Sequence, residues 1–375
     1  MPKRICHLLN VYGDKNQLFT STLIKNLTKK DDKNDYFVYC HAYKQHLQHI
    51  NFIVSNYKNK LIVVLKFLVL YIQNSNFRSL SNKLTKRENY KWTSLLYCKL
   101  DVLHIHHAHA IPIEVLKFLS AKKVKIVFTL RGKDLAVNTH DLCKREELKE
   151  KLVLADTIHC ISDFLKDRLF SLYGLTSKVI YRGIENPDAF NIKVSNEKEN
   201  EIKAISVGRL VWEKGHVFLL ESICRLKERG YIIKLDIYGE GYLETFLKFR
   251  VNQLGIENLV SFKGYLDNSE LKTVYKTYNI AIQSSISEAL SNGLIDFMVH
   301  NLPCVISNVG GMSEIITNEK NGIVFNVAKM EQLDEAILKA LDLDFKELML
   351  HNNKVKGKFS VDTEVEELLK LYKQV

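Results

Sequence analysis

The alternation of short apolar runs with longer amphipathic runs is the feature of this sequence that most constrains its fold. Short runs rich in Ile, Val and Tyr are typical of buried strands, and the amphipathic runs between them are typical of helices. Five runs in the first half predict strands: RICHLLNV, DYFVYCHAY, VLHIHH, VKIVFTL and TIHCIS. Because a helix between two strands returns the chain to the same end of the sheet, such strands pair in parallel. The first half therefore predicts an α/β domain.

The same alternation starts again after a polar stretch, NIKVSNEKENE, at 191–201. The strands predicted in this second half are IKAISVG, IIKLDIYG, LVSFKGY, IAIQSS and PCVISN. A chain of 375 residues also exceeds the usual size of one hydrophobic core. We therefore predict two doubly wound, Rossmann-like domains, at 1–188 and 189–350, and a C-terminal helix at 351–375 that packs back on the N-terminal domain.

The net charge of +11 is concentrated near the N-terminus. Residues 1–100 hold 17 Lys and Arg against 5 Asp and Glu, so 17 − 5 = +12, and the rest of the chain sums to −1. Within 51–100 the single acid is Glu88 among nine basic residues. This segment suits an anionic partner, of which a membrane surface is the one we favour over nucleic acid, or it is a solvated face.

An apolar run and the cysteines bear on location. LIVVLKFLVLYI, at 61–72, is shorter than the roughly 20 residues that a bilayer span needs, which predicts a buried or an interfacial helix. The N-terminus lacks the long apolar stretch of a signal peptide. Seven scattered cysteines without a CxxC pair are typical of a reducing compartment and predict no metal site.

Two acids flank a Ser-Asn-Gly turn in SEALSNGLID, at 287–296. Ser291 or Asn292 is a suitable N-cap for the helix that follows, whose N-terminus would stabilise an anion. Glu288 and Asp296 would then flank that anion and accept hydrogen bonds from sugar and ribose hydroxyls. The plainer alternative is one cap and one partner of the helix dipole.

Two cations follow a predicted strand in VGRLVWEKGHVFLLES, at 207–222. Arg209 and Lys214 would lie at the carboxyl end of the strand, where they suit a diphosphate. The alternative is an exposed loop in which Glu213 pairs with a neighbouring cation.

Together these stretches resemble a known family. The matching segments of the second half are GRLVWEKG, YGEGYLETFL, the acid pair Glu288 and Asp296, and VGGMSEII; those of the first half are DVLHIHHAHA, FTLRGKDL, ADTIHCISDFLKDRL and VIYRGIENPDAF. In this order and spacing they resemble the family 4 glycosyltransferases, which are retaining enzymes of the GT-B fold, with two Rossmann-like domains facing across a cleft. Several loose motifs in order are more specific than any one of them.

The resemblance implies roles for residues of the second half. Arg209 and Lys214 match the pair that neutralises the donor diphosphate, and Glu288 matches the acid that contacts the donor sugar. Asp296 stands where the family usually has a glutamate that binds ribose. The remaining donor-binding positions, in the turn before the helix and in a turn near the base, are Leu290, Ser291, Asn292, Gly293, Gly239 and Gly241. A plain strand-to-helix turn is the alternative for Gly239 and Gly241.

The resemblance also assigns residues of the first half. His106 is the best match, and His104 the next, for a histidine that assists at the reacting centre. Gly13 matches a loop that approaches the donor phosphate or the acceptor, although the family's glycine-rich loop is here reduced to this glycine. Arg131 stands where many relatives carry histidine, which suggests an acidic or phosphorylated acceptor.

The implied activity is metal-independent transfer of a sugar from a nucleoside diphosphate sugar, UDP favoured over GDP, with retention. The acceptor would be an oligosaccharide or a lipid-linked sugar in bacterial surface polysaccharide synthesis, bound by the N-terminal domain, and no cofactor beyond the donor is expected. The protein would be cytoplasmic, at the inner face of the membrane. A nucleotide-sugar epimerase on the same fold and a non-catalytic GT-B subunit that binds a partner enzyme are the alternatives.

Overall fold

The computed structural model of the protein describes residues 2–12, 18–40, 42–43, 50–54, 60–185 and 201–375. It divides into two compact units, residues 1–183 with 361–375, and residues 184–360. Among the described residues, no helix combines the length and the apolar character that a membrane span requires.

The first unit is built on a seven-stranded parallel sheet. The strands of this unit, counting two outside the main sheet, are β1 (Arg4–Leu8), β2 (Val11–Tyr12), β3 (Asp35–Cys40), β4 (Ala42–Tyr43), β5 (Asn51–Val54), β6 (Val102–Ile105), β7 (Lys125–Leu130), β8 (Thr157–Cys160) and β9 (Lys178–Val179). The order in the main sheet is β5-β3-β1-β6-β7-β8-β9, and β2 pairs with β4 apart from it.

The second unit is built on a six-stranded parallel sheet. Its strands are β10 (Ile202–Val207), β11 (Ile233–Tyr238), β12 (Val260–Gly264), β13 (Ile280–Gln283), β14 (Cys304–Ser307) and β15 (Gly322–Phe325), in the order β12-β11-β10-β13-β14-β15. Each of the ten runs predicted as strands contains one of the observed strands.

Helices connect the strands in both units. They are α1 (Leu18–Lys30), α2 (Lys60–Gln73), α3 (Ser75–Lys83), α4 (Lys86–Tyr97), α5 (Ile113–Ala121), α6 (Lys133–Ala136), α7 (Leu142–Leu152), α8 (Asp163–Tyr173), α9 (His216–Glu228), α10 (Glu244–Gln253), α11 (Asn268–Val274), α12 (Asn292–Val299), α13 (Gln332–Leu341), α14 (Phe345–Val355) and α15 (Val361–Gln374).

The last helix belongs to the first unit. Val365, Leu368 and Tyr372 of α15 are buried in one hydrophobic cluster with Ile5 of β1 and Val102 of β6. The helix begins at Val361, whereas the sequence placed its start at 351, because α14 and a short 3-10 turn still belong to the second unit. The predicted boundary at 188/189 lies outside the described residues.

The strand order creates a topological switch point in each sheet. From β1 the chain builds β3 and β5 on one side and then places β6 on the other side. The second unit repeats this pattern, with β11 and β12 on one side of β10 and β13 on the other. In such sheets ligands bind outside the carboxyl ends of the strands at the switch point. The loops after β6, β10 and β13 therefore lie where a ligand would bind.

Candidate active site

Lys214 and Glu288 meet at the switch point of the second unit, although they lie 74 residues apart in the sequence. Lys214 ends the loop after β10, Glu288 lies in the loop after β13, and the two strands pair directly. Lys214 Nζ donates a hydrogen bond to Glu288 Oε2 at 2.5 Å. Each side chain is 17% exposed, so the ion pair is largely shielded and still accessible to a ligand.

Main-chain contacts hold the loop that carries Lys214. Ser284 Oγ donates to the carbonyl oxygens of Lys214, at 3.3 Å, and Gly215, at 3.1 Å. Gly208 leaves room for the Lys214 side chain, because a Cβ there would lie 3.2 Å from Lys214 Cε. The lysine stem therefore lies along the loop and is directed at Glu288.

The alternative partner for the loop cations, Glu213, does not fill that role. Its carbonyl oxygen accepts a hydrogen bond from the Ile286 N–H at 2.9 Å, which joins the loops after β10 and β13. In the part of the chain that the structure describes, its carboxylate forms no ion pair. Lys214 pairs with Glu288 instead.

Arg209 is exposed, and its loop packs tightly against a glycine turn. Gly239 has φ +139°, and a Cβ there would lie 1.9 Å from the Gly208 carbonyl oxygen. A Cβ on Gly241 would lie 2.3 Å from the Leu210 carbonyl oxygen. Both glycines are thus required for the close approach of the two loops, and their contact with the nucleotide base stays a prediction.

The N-terminus of α12 lies at the same edge of the sheet. Of the two N-cap candidates in the sequence, Ser291 and Asn292, Ser291 is the N-cap, and Ser291 Oγ accepts from the Leu294 N–H at 3.4 Å. Ser291 Oγ also donates to Gln283 Oε1 at 3.3 Å, and Gln283 Nε2 donates to the Val207 carbonyl oxygen at 2.9 Å. Gln283, which the sequence interpretation missed, therefore links the helix cap to the end of β10.

The other residues of the capping turn have different surroundings. Leu290 is buried, Asn292 opens the helix, and Gly293 lies against the Gln283 side chain. The dipole of α12 favours an anion at this end of the helix. Donor binding by this turn stays a prediction.

The Glu288 loop rests on a second glycine-containing turn. Gly310 has φ +59°, and a Cβ there would lie 1.6 Å from the Glu288 carbonyl oxygen. The Gly311 N–H donates to the Ala289 carbonyl oxygen at 2.9 Å. This turn therefore sets the position of the Glu288 main chain.

Asp296 lies on α12 and is buried, with 6% of its surface exposed. Burial raises the pKa of its carboxyl to about 7, and the Lys272 ammonium opposes that rise. The carboxyl is therefore partly protonated at neutral pH, and its contact with ribose stays a prediction.

We expect Asp296→Asn to gain stability relative to the wild type as the pH rises from about 4 to about 7. Across this window the unfolded carboxyl has lost its proton and the folded one has kept it. The folded wild type then binds more protons than the unfolded chain, so its stability falls as the pH rises. The difference in the free energy of unfolding should reach on the order of 2 to 4 kcal/mol, at about 1.4 kcal/mol per pKa unit. Urea unfolding of both proteins across the window checks this, and a constant difference would contradict it.

His216, the first residue of α9, is a further residue that the sequence interpretation missed. It is buried, and burial together with the Lys214 charge lowers the pKa of its imidazole to about 4. The ring is therefore neutral beside the cation. The sequence signal was a histidine directly after EKG, at the start of a predicted helix.

The first unit places a cluster of buried histidines at and below its own switch point. His7 lies on β1, His104 on β6, His159 on β8, and His106 directly after β6. Burial lowers the pKa of His7 and His159 to about 3, and it holds the pKa of His104 and His106 well below the usual value. All four rings are therefore neutral.

Arg131 fixes the direction of the hydrogen bonds in this cluster. Its guanidinium donates to His106 Nδ1 at 2.7 Å and also to Thr20 Oγ1. Because Nδ1 accepts, the proton of a neutral His106 sits on Nε2, which donates to His7 Nδ1 at 2.9 Å. Burial lowers the pKa of Arg131 to about 9, and nearby Arg182 adds to this effect.

Three of these histidines also have the spacing of metal ligands. Ring nitrogens of His7, His104 and His106 lie within 4.8 Å of one another, and imidazole is a common ligand of zinc. However, His106 accepts from a cation, and His104 bonds Tyr372 and Thr129 at 2.5 Å each. A metal ion here would have to displace these hydrogen bonds and lie next to a guanidinium.

The site residues that were predicted in the first unit differ in how far the structure agrees with their expected positions. His106 lies at the carboxyl end of β6 as expected, but it is fully buried, so a contact with the donor sugar stays a prediction. His104 lies deeper, within the strand, and bonds Tyr372 of α15. Gly13 lies outside the described residues.

Two family models match the chain, one on each half. The model of glycosyltransferase family 4 matches residues 19–186, and the model of glycosyl transferases group 1 matches residues 188–356. Together they span most of the sequence. The chain belongs to the family 4 glycosyltransferases.

Individual glycosyltransferases are also similar to this chain in sequence. An uncharacterized glycosyltransferase of Methanocaldococcus jannaschii is 31% identical over 230 residues, which covers 57% of this chain and 58% of that protein. The amylovoran biosynthesis glycosyltransferase AmsK of Erwinia amylovora is 25% identical over 238 residues, which covers 59% of this chain and 56% of AmsK. The chain therefore spans less than two thirds of the length of these curated relatives.

A solved structure shows the same fold over the whole length. The crystal structure of Anabaena HepE in complex with UDP-glucose is similar with a TM-score of 0.74 and 13% identity, and the match covers 100% of both chains. This family 4 member therefore has the GT-B fold, with its two parallel-sheet α/β units.

Proposed function

We propose that this family 4 member is a retaining glycosyltransferase that moves a sugar from a nucleoside diphosphate sugar, UDP favoured over GDP, to an oligosaccharide or lipid-linked acceptor. The observation that carries the proposal is the ion pair between Lys214 and Glu288 at the switch point of the second unit. A cation, an acid and a helix N-terminus converge there, and these groups suit a diphosphate joined to a sugar.

The ion pair suggests how the donor binds. In the structure Glu288 neutralises Lys214. A donor diphosphate would compete for the Lys214 ammonium, and Glu288 would then accept hydrogen bonds from hydroxyls of the donor sugar. Arg209, exposed in the same loop, would add a second cation to the diphosphate.

The proposed reaction needs no metal ion. The bond between the anomeric carbon and the diphosphate oxygen breaks, and the acceptor oxygen bonds the anomeric carbon on the same face. The acceptor proton passes to the leaving diphosphate. Lys214, Arg209 and the N-terminus of α12 stabilise the charge that develops on that leaving group.

The relatives support the proposed donor and product, and the cysteines support the proposed compartment. HepE was crystallised with UDP-glucose, which favours UDP, and AmsK acts in amylovoran biosynthesis, which favours surface polysaccharide. We assign acceptor binding to the first unit. All seven cysteines are free, as is typical of the cytoplasm, where we place the reaction.

Nucleotide binding and product stereochemistry test the proposal. We expect UDP to raise the melting temperature of the second unit more than GDP or ADP does, with or without EDTA. The anomeric proton of the product, followed by NMR from whichever UDP-sugar is consumed, should show retained configuration. Inversion would overturn the mechanism. No shift with any nucleotide would favour the non-catalytic subunit.

A further inference from the structure

Helix α2 is apolar on two sides, and among the residues that the structure describes one side is buried and the other is exposed. Val63 and Leu70 are buried. On the other side Leu61, Leu65, Leu68 and Ile72 are 73%, 54%, 46% and 73% exposed. Their spacing of four, three and four residues places these four side chains on one stripe of the helix, which we name the α2 outer stripe.

Helix α2 and the helices packed against it are strongly basic. Between residues 36 and 87 the sequence contains no Asp or Glu, and α2 with the helices α3 and α4 packed against it carries seven Lys and Arg. The single acid of these helices, Glu88, is held in the capping box of α4 with Thr85. Exposed Tyr71, Tyr90 and Tyr97 lie on the same helices.

We propose that the α2 outer stripe lies in the surface of an anionic lipid bilayer. Apolar side chains would enter the boundary between headgroups and acyl chains, the Lys and Arg residues would meet anionic headgroups, and tyrosines suit that boundary. This inference does not depend on the proposed reaction.

The length of the helix fits lying along the membrane and excludes crossing it. The 14 residues of α2 extend about 21 Å at 1.5 Å per residue, which is less than the roughly 30 Å of the hydrocarbon core. The buried side of α2 also packs on the first unit, because Val63 and Leu70 are buried and Phe67 contacts the edge of Phe77 on α3.

Charge also argues against a second copy of the chain as the occupant. An interface between two such stripes would bring two sets of seven cations together with one acid on each side. Like charges at an interface oppose association, whereas anionic headgroups neutralise them.

Vesicle co-sedimentation of the full chain tests the proposal. We expect the wild type to bind phosphatidylcholine vesicles that contain phosphatidylglycerol, and to bind them less as salt is raised. Leu65→Ser with Leu68→Ser should reduce the partition coefficient by about tenfold or more, because the lost area is apolar. Leu142→Ser with Leu350→Ser is the matched control, since those leucines are 72% and 58% exposed and lie on α7 and α14.

Three outcomes would overturn the inference. The wild type fails to bind the anionic vesicles, or the Leu65/Leu68 variant binds them as the wild type does. Light scattering could also reveal a dimer that the same variant abolishes, which would assign the stripe to a second copy. Circular dichroism checks that each variant is folded. UDP binding, measured separately, reports on the proposed function and should be unchanged in every variant.

Discussion

We expect Lys214→Ala to lower kcat/KM for sugar transfer from the UDP-sugar by roughly 10²- to 10³-fold, the usual effect of removing one group that stabilises developing charge. Lys214 is the cation directed toward Glu288 at the switch point, and its ammonium would lie at the leaving diphosphate. The substitution also leaves the Glu288 carboxylate without its cation at 2.5 Å, so the site becomes less favourable for an anion. Steady-state kinetics and calorimetric UDP binding measure the two effects.

A matched control separates this effect from a general change of charge. Lys248 on α10 pairs with Glu244 at 2.7 Å, its side chain is 56% exposed, and it belongs to the same unit. Lys248→Ala should therefore leave kcat/KM and UDP affinity unchanged. If Lys214→Ala behaves like Lys248→Ala, the donor site is not at the end of β10.

A double-mutant cycle examines the ion pair itself. If Lys214 acts on the donor only through Glu288, adding Lys214→Ala to Glu288→Ala will lower kcat/KM no further. If the two residues contact different parts of the donor, as proposed, each substitution will lower kcat/KM on its own and the double variant will be worse than either.

Gly310→Ala should be the most destabilising single methyl addition near the site. The new Cβ would lie 1.6 Å from the Glu288 carbonyl oxygen, so one of two main-chain segments has to move. We expect a loss of more than about 3 kcal/mol in the free energy of unfolding, well above the typical effect of a substitution. For a domain of this size that corresponds to about 2 to 4 °C in Tm per kcal/mol. UDP-sugar binding should weaken as well, because Glu288 is displaced.

Gly255→Ala isolates the effect of crowding from that of the backbone angle. Gly255 has the same φ of +59° as Gly310, but a Cβ there would meet nothing within 4 Å. Gly255→Ala should lower the free energy of unfolding by only about 1 to 2 kcal/mol, which is the strain of placing a residue with a side chain in the left-handed conformation. Chemical unfolding of both variants makes the comparison. If both variants lost the same free energy of unfolding, the turn at Gly310 would be able to move away from the Glu288 main chain without cost, which contradicts the prediction.

The strands and the charged loops of this protein were predictable because their signals are local. A buried parallel strand such as β7 is a short apolar run, and the Ser291 cap is a short polar side chain before a helical pattern. Edge strands were missed, among them β9, whose two residues are too few to show a period, and β15.

The sequence could not show which residues would touch. Lys214 pairs with Glu288 and not with Glu213, because β10 and β13 are neighbours in the sheet while β11 and β12 lie on the other side. His106 was placed correctly at a strand end, yet its burial follows from His7 on β1 and Arg131 after β7, which the sheet brings around it. The sequence also could not decide whether α2 is a buried or an interfacial helix, since an apolar run has the same pattern in both cases.

The position of α15 has a consequence for biosynthesis. Because Val365, Leu368 and Tyr372 complete the core that β1 and β6 begin, the ribosome makes the start of that core first and its end last. The second unit, continuous from residue 184 to 360, can fold while the C-terminal helix is still being made. The unit that is synthesised first is thus the last to finish folding, and a nascent chain halted before Val361 would expose the apolar surface that α15 covers.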